Sequence, residues 1–280
     1  MPVPDLSAVD GHPAPAFDQI VTLLRSAGCV FAEEEARLLL SEAGGAAQLD
    51  RNIRRRVAGV PLEYVLGWAE FAGRRIVVEA GVFVPRRRTE LLVNQAVALL
   101  SAGTVGAAPV VVDLCCGSGA VGAGIVQAVP GVELHAADID ATAVRCALRN
   151  IGPLGGRVHR GDLFEALPSA LRGRVRLLAV NAPYVPTKAI RTMPPEARLY
   201  EPVISLDGGA DGLDFHRRVA AGSIEWLAPG GHVVIETSGR QAAGTSATLA
   251  AAGFRTRIVR SEELDATVVV GRAVPGAGKD

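Results

Sequence analysis

The chain has 280 residues, 49% of them hydrophobic and 21% charged, which allows one large core with a smaller companion. Its formal net charge is zero, so attraction to nucleic acid is not built into the chain as a whole. No apolar run reaches bilayer length, and Met1-Pro2-Val3-Pro4-Asp5 has neither the basic nor the apolar region of a signal peptide, so a soluble protein is expected.

The first part reads as short helices. Ile20, Leu23 and Leu24 fall at helical spacing within Phe17–Ala27, which stops at Gly28. A second helix, Ala32 to Ala43, opens on Glu33-Glu34-Glu35, acids suited to a helix N-terminus, and ends at Gly44-Gly45. A third runs from about Ala46 to Ala58 and carries Arg54-Arg55-Arg56 before Gly59-Val60-Pro61 breaks it. With Arg86-Arg87-Arg88 this cluster makes the stretch from Arg51 to Leu91 basic, either a solvated face or a docking surface for an acidic partner.

The period then changes. Arg74–Val78 and Val82–Val84 around Glu79-Ala80-Gly81 predict a β-hairpin within Glu70–Val84. Thr89 is placed to cap a helix through Leu91, Leu92, Val93 and Leu99, and Ser101–Pro109 reads as a loop. From Val110 onward strands alternate with helices. The expected strands are Val110–Leu114, Glu133–Ala137, Arg157–His159, Val175–Val180 and His232–Glu236, followed by an antiparallel pair, Arg255–Arg260 with Thr267–Arg272. That order predicts a doubly wound α/β sheet, with a disordered tail from Pro275 to Asp280.

Val110–Leu114 runs into Cys115-Cys116-Gly117-Ser118-Gly119-Ala120-Val121-Gly122, a Gly-x-Gly-x-x-Gly between strand and helix. Asp138 ends the next strand, where a carboxylate meets ribose hydroxyls, so a dinucleotide site is one reading. Asp113 argues against it, because a carboxylate just ahead of the loop repels a pyrophosphate and suits an ammonium group. The methionine part of S-adenosylmethionine carries such a group. Asp162 and Leu163 then stand where an adenine amino group and ring would lie. Each aspartate taken alone is equally well a strand-end or capping residue. The four cysteines, Cys29, Cys115, Cys116 and Cys146, include no Cys-x-x-Cys and no metal-ligand spacing, which points to a reduced, cytoplasmic setting without a metal.

At the end of Val175–Val180 stands Asn181-Ala182-Pro183-Tyr184. The Asn181 side-chain oxygen and the Ala182 carbonyl can accept the two protons of a planar NH2, and Tyr184 can cover its face. A grip of this kind points to methyl transfer to nitrogen. A strand ending in a proline turn accounts for the same residues.

Together these motifs resemble the protein glutamine N5-methyltransferases that modify the Gly-Gly-Gln loop of peptide-chain release factors. Gly59–Gly67 with Glu70-Phe71, Val84–Glu90, Asp113–Gly119, Asn181–Tyr184, Glu201-Pro202, Leu206–Leu213 and Glu236 are similar to that family's motifs in the same order. The resemblance implies a class I S-adenosylmethionine-dependent methyltransferase with a Rossmann-like seven-stranded sheet. It also implies a helical N-terminal substrate-recognition domain (1–67), a β-hairpin linker (68–84) and a methyltransferase domain (85–280). The cofactor set is then Asp113, Cys115, Cys116, Gly117, Ser118, Gly119, Asp138, Asp162, Leu163 and Asn181; the catalytic set is Asn181, Ala182, Pro183 and Tyr184; the partner is a protein with a glutamine-bearing loop.

Three positions depart from the family pattern. Ala182 replaces a proline, keeping the carbonyl but loosening the loop. Arg87-Arg88 replaces a proline and an acid, reversing charge near the substrate entrance, and Leu163 replaces an aromatic residue beside the adenine. Glu201 either orders a loop over the site or is a surface turn acid, and it receives no catalytic role. The rival functions are an adenine-N6 nucleic-acid methyltransferase, since the same grip holds any planar amine, and a non-catalytic cofactor-binding protein.

Overall fold

The computed structural model describes residues 16–102 and 108–274. Met1–Asp5, the tail from Pro275 and most of the expected loop before Pro109 lie outside them. The chain divides into two compact units, residues 1–66 and 67–280.

The first unit is helical: α1 (Phe17–Ser26), α2 (Ala32–Glu42), α3 (Ala46–Val57) and α4 (Leu62–Leu66). Their apolar stripes meet in one cluster that includes Ile20, Leu24, Leu39, Leu49 and Ile53. The first arginine cluster is not simply a surface feature. Arg56 is buried and forks onto Glu35, with Nε–Oε2 2.6 Å and Nη2–Oε1 3.0 Å. Arg55 donates to the Tyr64 carbonyl at 3.0 Å. Two of the three arginines therefore hold the unit together.

The second unit opens with a hairpin, β1 (Trp68–Phe71) paired with β2 (Arg74–Val77). It sits upstream of the hairpin expected between Arg74 and Val84. The turn is Ala72-Gly73, with φ of 50° and 69°, a two-residue hairpin turn lacking the Asn-Gly signature that would have marked it. Val82–Val84 forms no strand; Val82 and Val84 are buried and the Val84 N–H goes to a side chain instead. Thr89 also differs from expectation. It is already helical at ψ −13°, makes no capping bond to α5 (Glu90–Ser101), and its hydroxyl is buried with no hydrogen-bond partner among the described residues.

Among the described residues the sheet has seven strands: β3 (Val110–Leu114), β4 (Glu133–Asp138), β5 (Arg157–Arg160), β6 (Val175–Val180), β7 (Leu227–Thr237), β8 (Phe254–Ser261) and β9 (Ala266–Ala273). Their spatial order is β5-β4-β3-β6-β7-β9-β8, parallel except for β9, which runs antiparallel to both neighbours. The expected strand order along the chain and the terminal antiparallel pair are both present.

Side-chain alternation sends Val111, Leu177, Val234 and Val268 to one face, against α5, α6 (Ala120–Ala128) and α7 (Ala141–Ile151). Val110, Val112, Leu178 and Ile235 go to the other, with Val219 and Ala220 of α9 (Asp214–Trp226) and Leu249 of α10 (Ala242–Ala251). Successive strands run one way from β3 to β5 and the other way from β6 to β7. The crevice of an open α/β sheet lies at that reversal, outside the carboxyl ends of β3 and β6. No helix among the described residues is long and apolar enough to cross a membrane.

Candidate active site

One cavity occupies that crevice, within the second unit. It is lined by Asp113, Cys115, Cys116, Gly117 and Ser118 after β3, Asp138 at the end of β4, Asp162 and Leu163 after β5, and Asn181–Tyr184 after β6. Every residue of the two expected sets lines it except Gly119. That glycine instead starts α6 at φ 76°, and a Cβ there would stand 3.2 Å from Ala147 and Ile151, so it serves helix packing.

Strand period explains the acidic end. Asp113 shares the face of Val111 and so points under α6, where its Oδ2 accepts the Gly122 N–H at 2.9 Å. A Cβ at Gly122 would lie 3.2 Å from that same oxygen and 3.0 Å from Leu134, which is why the third glycine of the motif is small. Burial is the main force on Asp113 and pushes its carboxyl up to about 7, and the negative charge of Asp138 adds to it. Asp138 accepts the Gly117 and Asp140 N–H groups, each at 2.9 Å. Burial raises its carboxyl as well, against the pull of those two bonds.

Asp162 is more open and is met by Arg218 at 2.7 Å. Burial also raises the thiols of Cys115 and Cys116, with nearby aspartates reinforcing it, so neither is a thiolate nucleophile. Cys115 and Leu163 hold φ of 57° and 48°, left-handed backbone that β-carbons resist. Both strained residues line the cavity. Among the described residues no cluster of three or more His, Cys, Asp and Glu side chains is arranged to hold a metal ion.

The Asn181–Tyr184 end is braced from behind. Val185 is held on both sides of its peptide: its N–H donates to the Leu206 carbonyl at 3.0 Å, and its carbonyl accepts the Gly208 N–H at 2.9 Å. Gln241 Nε2 donates to the Tyr184 carbonyl at 2.8 Å. A Cβ at Gly208 would stand 2.7 Å from Tyr184 Cα and 2.8 Å from the Pro183 carbonyl oxygen, so the brace presses directly on the loop. Gly208→Ala must therefore displace Pro183 and Tyr184. Turnover is expected to fall at least tenfold with about 1–3 kcal/mol of stability lost, while cofactor binding changes little. Steady-state kinetics beside thermal unfolding and cofactor titration checks this.

Two ion pairs frame the acceptor end, and composition did not reveal either. Arg88 Nε meets Glu236 Oε1 at 3.4 Å, and the Tyr184 hydroxyl donates to the same oxygen at 3.1 Å. Burial holds that hydroxyl above its ordinary range, with the Glu236 charge adding to it. The positive charge of Arg88 is thus met inside the protein, which moderates the charge reversal read at the entrance. Glu201 is the second surprise. Its buried Oε1 takes Arg86 Nη2 at 2.6 Å and the Val84 N–H at 3.1 Å.

Glu201 follows α8 (Pro195–Tyr200), and Pro202 with Ile204–Leu206 just beyond it line the cavity, as do Phe83, Pro85 and Arg86. The ion pair staples these two walls together. Glu201→Ala should loosen residues 195–206, with about tenfold faster amide exchange and about 1–3 kcal/mol lost. Glu201→Gln, which keeps an acceptor, should lose less, and exchange followed by mass spectrometry reads both.

This arrangement fits a ligand with a cationic nitrogen at Asp113, hydroxyls at Asp138 and a planar amine at Asn181. Comparison with known proteins supplies the family. The methyltransferase small domain family matches residues 74–193. A 4-amino-L-phenylalanine/4-methylamino-L-phenylalanine methyltransferase of Streptomyces pristinaespiralis is 34% identical over 260 residues, 86% of this chain and 88% of its own. A release factor glutamine methyltransferase of Geobacter sulfurreducens is 35% identical over 204 residues, 72% of this chain and 69% of its own. A methyltransferase structure from Pyrococcus furiosus, at 14% identity, shares the fold with a TM-score of 0.52 over 81% of this chain and 97% of that one. The chain belongs to the family of the release factor glutamine methyltransferases and has the class I, S-adenosylmethionine-dependent methyltransferase fold.

Proposed function

We propose that this methyltransferase modifies the side-chain amide nitrogen of a glutamine in a protein, the Gly-Gly-Gln loop of a peptide-chain release factor being the first candidate. The observation that carries this reading is the placement of Asn181, Ala182 and Tyr184 in one cavity with Asp113, Asp138 and the Gly117 turn. S-adenosylmethionine, when bound, supplies an electrophilic methyl group and leaves as the neutral thioether. Asp113 would hold its ammonium group, Asp138 its ribose hydroxyls, and Asp162 with Leu163 its adenine. The donor set fits, because a buried carboxylate raised to about 7 is one that gains from a cationic partner.

An amide nitrogen is a weak nucleophile, since its lone pair is delocalised into the carbonyl. The chain's contribution is therefore orientation. Asn181 and the Ala182 carbonyl accept the two N–H protons, fix the nitrogen, and stabilise positive charge as it grows there. Tyr184 covers the amide plane and Pro183 stiffens the loop. Once methylated, the nitrogen would be strongly acidic and would pass its proton to solvent, so no strong base is needed. The helical first unit would recognise the protein acceptor.

A second reading is favoured by the Streptomyces pristinaespiralis relative, whose name describes an aromatic NH2 on an amino acid. That group is also planar and has two protons. Incubating the chain with labelled cofactor and, separately, release factor, its glutamine-to-alanine variant, 4-aminophenylalanine and DNA decides among the acceptors. Label on release factor that vanishes with the glutamine supports the main reading, and label on the free amino acid alone replaces it.

A further inference from the structure

A second cavity opens beside the first, at the carboxyl end of β7 and the β8–β9 turn. Arg88 and Tyr184 line both, and Glu236, Ser238, Arg260 and Asp265 are among the residues that line only the second. Glu236 is 2% exposed. Its Oε1 is taken by Tyr184 and Arg88, but Oε2 is buried and has no hydrogen-bond partner among the described residues. A carboxylate oxygen left so is costly unless something outside the chain supplies a donor.

The chemistry of that donor follows from the surroundings. The cavity holds three carboxylates, Glu236, Glu262 and Asp265, against two guanidiniums, so it favours an N–H or ammonium over an anion. Its position follows from register. Val180 pairs with Ile235, which sets Asn181 and Glu236 at the same level on adjacent parallel strands. Neighbouring strands lie about 4.8 Å apart. In an amino acid such as glutamine the side-chain nitrogen and the α-nitrogen are separated by a short carbon chain, roughly 5–6 Å when extended. Arg88, 3.4 Å from Glu236 and 45% exposed, lines both cavities.

We propose that Glu236 accepts a hydrogen bond from the α-nitrogen of the amino-acid residue whose side-chain NH2 lies at Asn181. The site then reads an acceptor amino acid at two nitrogens, one to be methylated and one to be held. The proposal rests on the reading of a planar side-chain NH2 as acceptor. The same chemistry serves a peptide N–H in a protein or the α-ammonium of a free amino acid.

The test removes that donor from the ligand. One arm uses a Gly-Gly-Gln peptide and the same peptide with the glutamine α-nitrogen methylated. The other uses 4-aminophenylalanine and its analogue lacking the α-amino group. Binding of each pair is measured calorimetrically on the full chain with S-adenosylhomocysteine present, and turnover is measured in parallel. In the arm that contains the true acceptor, loss of the donor should weaken binding roughly 10- to 100-fold.

In Glu236→Leu that ratio should collapse toward one, while S-adenosylhomocysteine still binds. Equal binding of both members in both arms overturns the proposal, as does a ratio that persists unchanged in a folded Glu236→Leu. The unsubstituted chain alone decides the first point should the variant fail to fold. Failure of turnover on every parent acceptor would count against the proposed function, while the binding ratios still judge the Glu236 contact.

Discussion

Asn181→Ala is expected to lower turnover by roughly 10²–10³-fold while leaving cofactor affinity within a few-fold of the parent. The size follows from what the side chain does. It supplies one of two acceptors that orient a delocalised nitrogen, and the loss of one preorganised partner in a buried site commonly has an effect of this order. The small change in cofactor affinity follows from placement, since Asp113, Asp138 and the Gly117 turn sit on β3 and β4, away from the β6 terminus. Asn181→Asp separates the two properties of the amide. It keeps an acceptor oxygen in the same place, so it should retain more activity than alanine. Mass-spectrometric quantitation of methylated acceptor, beside cofactor titration, tests both variants. An alanine variant methylating at near the parental rate removes the orientation argument.

Most of the sheet could be read from the chain, because its strands include buried apolar runs such as Val110–Leu114 and Val175–Val180. The strand-end acids and Asn181 were legible for the same reason: a parallel sheet delivers its carboxyl ends to one edge. What could not be read was anything decided by a distant partner. Val82–Val84 alternates like a strand, yet its backbone goes to Glu201, over a hundred positions away in the chain. Thr89 has the identity of a cap but a helical ψ that disables it. Arg56 reads from the sequence as part of a solvated face or a docking surface, yet it is buried against Glu35. The left-handed conformations of Cys115 and Leu163 have no sequence mark at all, since neither residue type favours them. Gly208 was visible only as part of a motif; its reason is the backbone of Tyr184 pressed against it.

The second large effect concerns pH. Burial moves the Asp113 carboxyl from 3.8 to about 7. Between those values the native chain holds a proton that the unfolded chain has released, so this group's contribution to stability falls as pH rises through the window. The full span corresponds to about 4 kcal/mol, complete below the unfolded value and gone above the folded one. A ligand that brings an ammonium group to Asp113 reverses the preference, because it binds the ionised form. Cofactor affinity should therefore climb with pH between about 5 and 7, by up to tenfold per unit, and binding should release close to one proton near pH 6. Calorimetry in buffers of different ionisation heat measures that proton directly. In Asp113→Asn the proton release and the slope should both vanish, affinity should drop, and the stability of the ligand-free chain should flatten over the same range. A pyrophosphate lodged against Asp113 would demand the protonated acid, already about nine-tenths formed at pH 6, so its binding there would take up almost no proton and its affinity would fall only as pH rises past 7. Release of a proton near pH 6, against almost no exchange, thus separates a sulfonium amino acid from a dinucleotide at the end of β3.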